Sequence, residues 1–134
     1  TVTALAAERR SEADIAKFKS LCQHIDKESA LAGGPKDNDP GYRHLNLMFH
    51  SAIHEMANSP VSTRYAAGLW DRSDFYIKLV FGSLYFSPTV KRAYRLIRRA
   101  IISGDPEGAK TAVTNHLTSV GDGVTRALLK QQIR

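Results

Sequence analysis

The chain has 134 residues, 43% of them hydrophobic, with a formal net charge of +6. That is one domain's worth of chain with enough apolar material to bury a core, which excludes a disordered tail and a miniprotein held by disulfides. No apolar run reaches the ~20 residues that cross a bilayer, so a membrane span is excluded too.

The chain opens at Thr1 inside a helical pattern, with no initiator Met and no apolar leader, and is expected to be a piece of a longer protein. A short helix covers about residues 2–9. Ser11 followed by Asp14 reads as a capping pair that starts a second helix, over about 12–31. Gly33-Gly34-Pro35 stops it, and the polar stretch from Gly33 to Asp39 is the one long connection. Four dipeptides then punctuate the chain: Asp39-Pro40, Ser59-Pro60, Ser87-Pro88 and Asp105-Pro106. Each puts an N-cap residue type before a proline, whose missing N–H costs nothing in the first helical turn. The remaining helices are therefore expected over about 40–57, 60–84, 88–103 and 106–132. Gly104 suits a left-handed C-terminal cap, and Asn58 can do the same. No period-two pattern competes, so the fold class is all-α. An antiparallel bundle of about six helices, forming a single domain over 1–134, is the expected architecture.

Three helices show clear apolar stripes. Leu45, Phe49, Ala52, Ile53 and Met56 line one face of the third. Val90, Tyr94, Ile97 and Ile101 line the fifth, with Lys91, Arg95, Arg98 and Arg99 on its other faces. Ala109, Ala112, Val113, His116, Leu117 and Val120 follow the i, i+3, i+4 rule in the sixth.

Asn46 and His50 stand four residues apart on the third helix and can point at one atom. His54 lies about 40° further round and is expected to face solvent, so the spacing His50-x-x-x-His54 is a weak metal signature. His116 falls within an apolar stripe, where an imidazole needs a partner for each ring nitrogen. Its partner is either a carbonyl or hydroxyl of the core or something bound. Together these groups suggest a polar pocket inside an apolar bundle. Arg72 follows Trp70 and Asp71 in a mostly apolar helix. It either clamps a carboxylate in the interior or pairs with Asp71, Asp74 or another surface carboxylate.

The basic balance favours an anionic partner: nucleic acid, an acidic metabolite or an anionic surface. The densest basic group, Lys91, Arg92, Arg95, Arg98 and Arg99, has no aromatic interleaving except Tyr94 on the core face, and reads as a solvated helix face. The lone cysteine, Cys22, fits a reducing cytoplasm. Nucleophilic catalysis finds no support, since His24 faces away from Cys22 and there is no phosphate cradle or nucleophile elbow.

These residues, in this order, resemble the C-terminal effector-binding domain of GntR-type bacterial transcription regulators, of the FCD class. Leu5-Ala6-Ala7-Glu8-Arg9 is similar to the end of that family's first helix. Asn46-Leu47-Met48-Phe49-His50 is similar to its Asp-x-x-Phe-His motif, and Met56 to Val61 to its Ser-Gly-Asn-Pro turn. Arg99 to Asp105 followed by His116 is similar to its Ala-Ile-x-x-Gly-Asp…His-Leu ending. The resemblance implies a helical bundle that dimerises, works in the cytoplasm and reaches operator DNA through a separate N-terminal winged helix-turn-helix domain. It also implies a central effector pocket, which in many members holds a divalent metal on one Asp and three His.

In this chain the Asp position is Asn46, the first His is His50, the second His position holds Tyr94 and the last is His116. A neutral amide and a neutral phenol are poor ligands for Zn²⁺ or Ni²⁺. A metal on His50, His116 and Asn46 is the lesser expectation. The greater is a pocket with no tightly bound metal, in which Asn46, His50, Tyr94 and His116, aided by Arg72, hold a small carboxylate or acyl metabolite. A sensor domain rather than an enzyme is expected. The alternatives are a metal-dependent helical-bundle enzyme and a purely structural dimerisation module.

Overall fold

The computed structural model describes residues 1–31, 40–85 and 88–133. Among the described residues it holds six α-helices and no strand: α1 Val2–Arg9, α2 Glu12–Leu31, α3 Pro40–Ala57, α4 Pro60–Tyr85, α5 Pro88–Ser103 and α6 Pro106–Gln132. The expected all-α bundle and its six helices are present. No helix of the described residues is long and apolar enough to cross a membrane.

Local chemistry explains the boundaries. Ser11 and Asp14 form a reciprocal box: Ser11 N–H donates to Asp14 Oδ2 (2.9 Å) and Asp14 N–H to Ser11 Oγ (3.1 Å). Each side chain thus satisfies a backbone donor that the first turn of α2 leaves open. Asp105 caps α6 by accepting from Gly108 N–H at 2.9 Å, just ahead of Pro106. The end of α5 carries a full Schellman arrangement. Gly104, at φ +71°, donates to Ile101 O (3.2 Å), and Asp105 N–H reaches Ala100 O (2.9 Å). Asn58 takes the same left-handed role after α3, at φ +45°. Ser59 stands at the expected start of α4, where its carbonyl accepts from Thr63 N–H (2.9 Å), but its hydroxyl bonds Ser62 Oγ (3.0 Å) in place of a backbone N–H. The expected caps at Asp39 and Ser87, the stop at Gly33-Gly34-Pro35 and the long connection over 33–39 lie outside the described residues.

Short as it is, α1 is the hub. It packs against α3, α5 and α6, while α5 and α4 each pack on α6 and α2 lies on α3. Ala6 and Ala7 are fully buried, and their small side chains let three helices approach. Two adjacent arginines fasten α1 to its neighbours. Arg9 Nη1 donates to the carbonyls of Ala57 and Asn58 at the end of α3, both at 3.1 Å. Arg10 donates from Nε (3.4 Å) and Nη2 (3.3 Å) to the Ile102 carbonyl near the end of α5, and from Nη1 to Ala7 O (3.2 Å). These carbonyls are among those a helix C-terminus cannot satisfy by itself. The Arg10 guanidinium lies against Gly104, so that a Cβ there would have to push it aside.

The core follows the apolar stripes. Phe18 and Cys22 of α2, Phe49, Ile53, Met56 and Ala57 of α3, Ile97 and Ile101 of α5, and Ala109, Ala112 and Val113 of α6 make one buried cluster with Ala6 and Ala7. One expected stripe residue is corrected: Leu117 is 57% exposed. It directly follows His116, and one step of about 100° turns its side chain out of the buried face. Arg98 is half-buried and pairs with Asp26 of α2 at 3.0 Å, while Lys91, Arg92, Arg95 and Arg99 are exposed, as a solvated face requires.

Candidate functional site

Four polar side chains converge where α3, α5 and α6 meet. α3 supplies Asn46 and His50 one turn apart, α5 supplies Tyr94 and α6 supplies His116. Asn46 and His116 are buried, at 6% and 2% exposure; with Thr3 of α1 they are the buried polar side chains among the described residues. Tyr94 OH donates to Asn46 Oδ1, which joins α5 to α3. The Tyr94 ring sits 4.9 Å from Phe49, edge to face at 78°, and 5.2 Å from His116. The His50 ring lies 6.2 Å from Tyr94 and 6.5 Å from His116, nearly parallel to the latter at 16°.

Burial fixes the electrostatics. The His50 pKa is pushed down to about 3, first by desolvation, then by the neighbouring His116 and His54. His116 is also lowered, by burial. Both imidazoles are therefore neutral at pH 7, each with one nitrogen to donate and one to accept. His50 as a whole is half-buried, but its Nε2 is sealed from solvent and has no hydrogen-bond partner among the described residues. A buried polar atom left in that state costs about 1–3 kcal/mol.

The structure thus brings together four of the five expected site residues. Arg72 is the exception. It is exposed on α4, and no described hydrogen bond, ion pair or ring contact joins it to the quartet. Nor does it pair with Asp74, whose carboxylate is taken by Arg43 (2.9 Å) and Lys78 (2.8 Å) and held below its usual pKa chiefly by the bond from Lys78. In place of Arg72, α4 offers Trp70, half-buried, with its ring 4.8 Å from that of His50. Sequence reasoning missed Trp70, although a lone Trp in an amphipathic helix is a usual lining residue for a pocket. His54 also departs from expectation: it is half-buried, with its pKa lowered by desolvation. The start of α4 folds over it, and Thr63 Oγ1 donates to its carbonyl at 3.4 Å. Cys22 is buried and its thiol is pushed up to about 11, mainly by desolvation, which leaves it inert as a nucleophile.

As a metal site the quartet fits poorly. Among the described residues no group of three or more His, Cys, Asp or Glu side chains comes together. The Asn46 carbonyl oxygen already accepts from a phenol, and no anion is present to offset a dication. What the quartet can do is exchange hydrogen bonds with a small polar group in a dry setting, where each bond is strong and each vacancy costly.

Compared with known families, residues 1–119 match the FCD domain. The curated proteins and the solved structures gave no match.

Proposed function

On the premise that this chain belongs to the FCD domain family, which the match over most of its length shows, we propose that it senses a small organic acid or acyl metabolite in the pocket formed by Asn46, His50, Tyr94 and His116. FCD domains are regulatory, effector-binding domains of GntR-type transcription regulators. The finer reading adds a metal-free pocket, a cytoplasmic homodimer, and control of operator binding by an N-terminal winged helix-turn-helix domain of the whole regulator.

One observation carries this reading: a sealed His50 Nε2 with no hydrogen-bond partner among the described residues, set beside Asn46, Tyr94 and His116 in a bundle whose buried residues are mostly apolar. An atom that costs stability and could be replaced by hydrocarbon is explained if a ligand completes it. The neutral imidazoles, the phenol and the amide would hold a carboxyl group by hydrogen bonds, and the Trp70 ring would flank the apolar part of the molecule. Binding regulates only if the effector prefers one arrangement of the helices to another, by a free energy equal to the coupling it exerts.

Calorimetry with a panel of small organic acids tests the reading on four proteins: wild type, His50→Ala, His116→Ala and Arg72→Ala. Loss of at least about tenfold in affinity is expected for each histidine variant, the worth of one buried hydrogen bond. Equal affinity in all four proteins would sink the pocket assignment. A similar loss in Arg72→Ala would make that residue a clamp that closes on the ligand. A panel that neither binds nor raises the melting temperature would favour a structural dimerisation module.

A further inference from the structure

We infer that Asn46 and Tyr94 are a matched pair whose hydrogen bond does mechanically what a bound metal would otherwise do here: it ties α3 to α5 across the quartet, and it does so without the ion. The inference rests on the quartet being the domain's pocket, and not on what the pocket binds.

The donor set argues for it first. Tyr94 OH donates to Asn46 Oδ1, so the lone-pair atom that could have met a cation meets a proton instead. The two residues come from different helices, 48 positions apart in sequence, and each supplies what the other lacks. An aspartate at 46 would leave the same phenol facing a buried charge, and a histidine at 94 beside Asn46 would leave a metal without an anionic ligand. Packing agrees. Tyr94 is held edge-on against Phe49 at 4.9 Å, so its hydroxyl is aimed by the core and not by chance.

The imidazole spacing agrees in the case of a tetrahedral ion such as Zn²⁺. Two histidines sharing one tetrahedral metal, at M–N of about 2.0–2.1 Å, bring their ring centroids to roughly 5 Å. The rings of His50 and His116 stand 6.5 Å apart and nearly parallel, wider than that.

The test compares wild type, Tyr94→Phe and the double variant N46D/Y94H. Each is dialysed against Ni²⁺ or Zn²⁺, desalted, assayed for metal and melted with and without EDTA. Wild type is expected to keep less than about a tenth of an equivalent, and its melting to ignore EDTA. Tyr94→Phe should melt a few degrees lower and still take no metal. The double variant should take up close to one equivalent, melt higher with metal and fall back with chelator. A stoichiometric metal in wild type overturns the inference, as does a Tyr94→Phe protein that melts like wild type. A folded double variant that takes no metal also overturns it. Should the double variant not fold, the wild-type and Tyr94→Phe measurements decide the matter alone. None of these readouts involves an effector, so a silent panel of organic acids and a failure here are separate results.

Discussion

Two buried regions share α3 and do opposite things. Phe49, Ile53, Met56 and Ala57 pack in one buried apolar cluster with Phe18, Ile97, Ile101 and the alanines of α1. Asn46 and His50, on the same helix, face Tyr94 and His116. The first region stabilises the bundle through the area it removes from water. The second spends part of that stability on desolvated polar atoms, and His50 Nε2 among them has no partner among the described residues. Burial alone therefore does not tell a core from a site. The tell is whether each buried atom would be better off as carbon.

Truncation should separate the regions most sharply. Phe18→Ala is expected to lower unfolding free energy by about 3–5 kcal/mol and Ile97→Ala by about 2–5 kcal/mol, through lost transfer and an unfilled cavity. Urea melts would measure this, and a loss below about 1 kcal/mol would mean that the apolar region is not what holds the helices together.

Acid attacks the other region. A buried histidine whose folded pKa lies below its unfolded value favours the unfolded chain once protons bind there. Its contribution is complete above the unfolded value near 6.5 and is lost as pH falls from there toward the folded value, about 3 for His50. At pH 5 His50 alone should cost roughly 2 kcal/mol, with His116 and His54 adding in the same direction. Stability measured from pH 8 to 5 should be flat and then fall, and the fall should shrink in His50→Leu. A slope of the same size in that variant would place the titrating group elsewhere.

His50→Leu makes a smaller and more pointed prediction. Removing the unpartnered nitrogen should stabilise the unliganded domain by about 1 kcal/mol. Ordinary core substitutions do the reverse, so a destabilised variant would show that His50 belongs with the structural region after all. The surface provides the baseline. Arg98 and Asp26, 25% and 61% exposed at the side chain, should lose less than about 1 kcal/mol on Asp26→Ala, and less again in high salt.

Nearly all of the scaffold could be read before the structure. Prolines behind capping residues placed the helix starts, and Ser11 with Asp14 formed the box that their spacing announces. Periodicity found the buried faces, failing at Leu117 where an apolar residue simply follows the stripe. The site was legible in its members but not in its wiring. Asn46, His50 and His116 advertise themselves as polar groups on apolar faces. That Tyr94 would bond to Asn46, that Trp70 would approach His50 and that Arg72 would stay outside depends on how α4, α5 and α6 are rotated against α3. No local pattern encodes that rotation. The arginine pair of α1 was equally hidden, because its acceptors are backbone carbonyls whose positions are set by where other helices end.

Arg9 and Arg10 make α1 a yoke laid across two shafts. One guanidinium grips the end of the helix that carries Asn46 and His50, and the other grips the end of the helix that carries Tyr94. Their acceptors are carbonyls, which do not titrate, so acid that charges the histidines leaves this grip in place. Both arms leave from neighbouring residues at the C-terminal end of α1, so a spreading of α3 from α5 strains one of the two grips first.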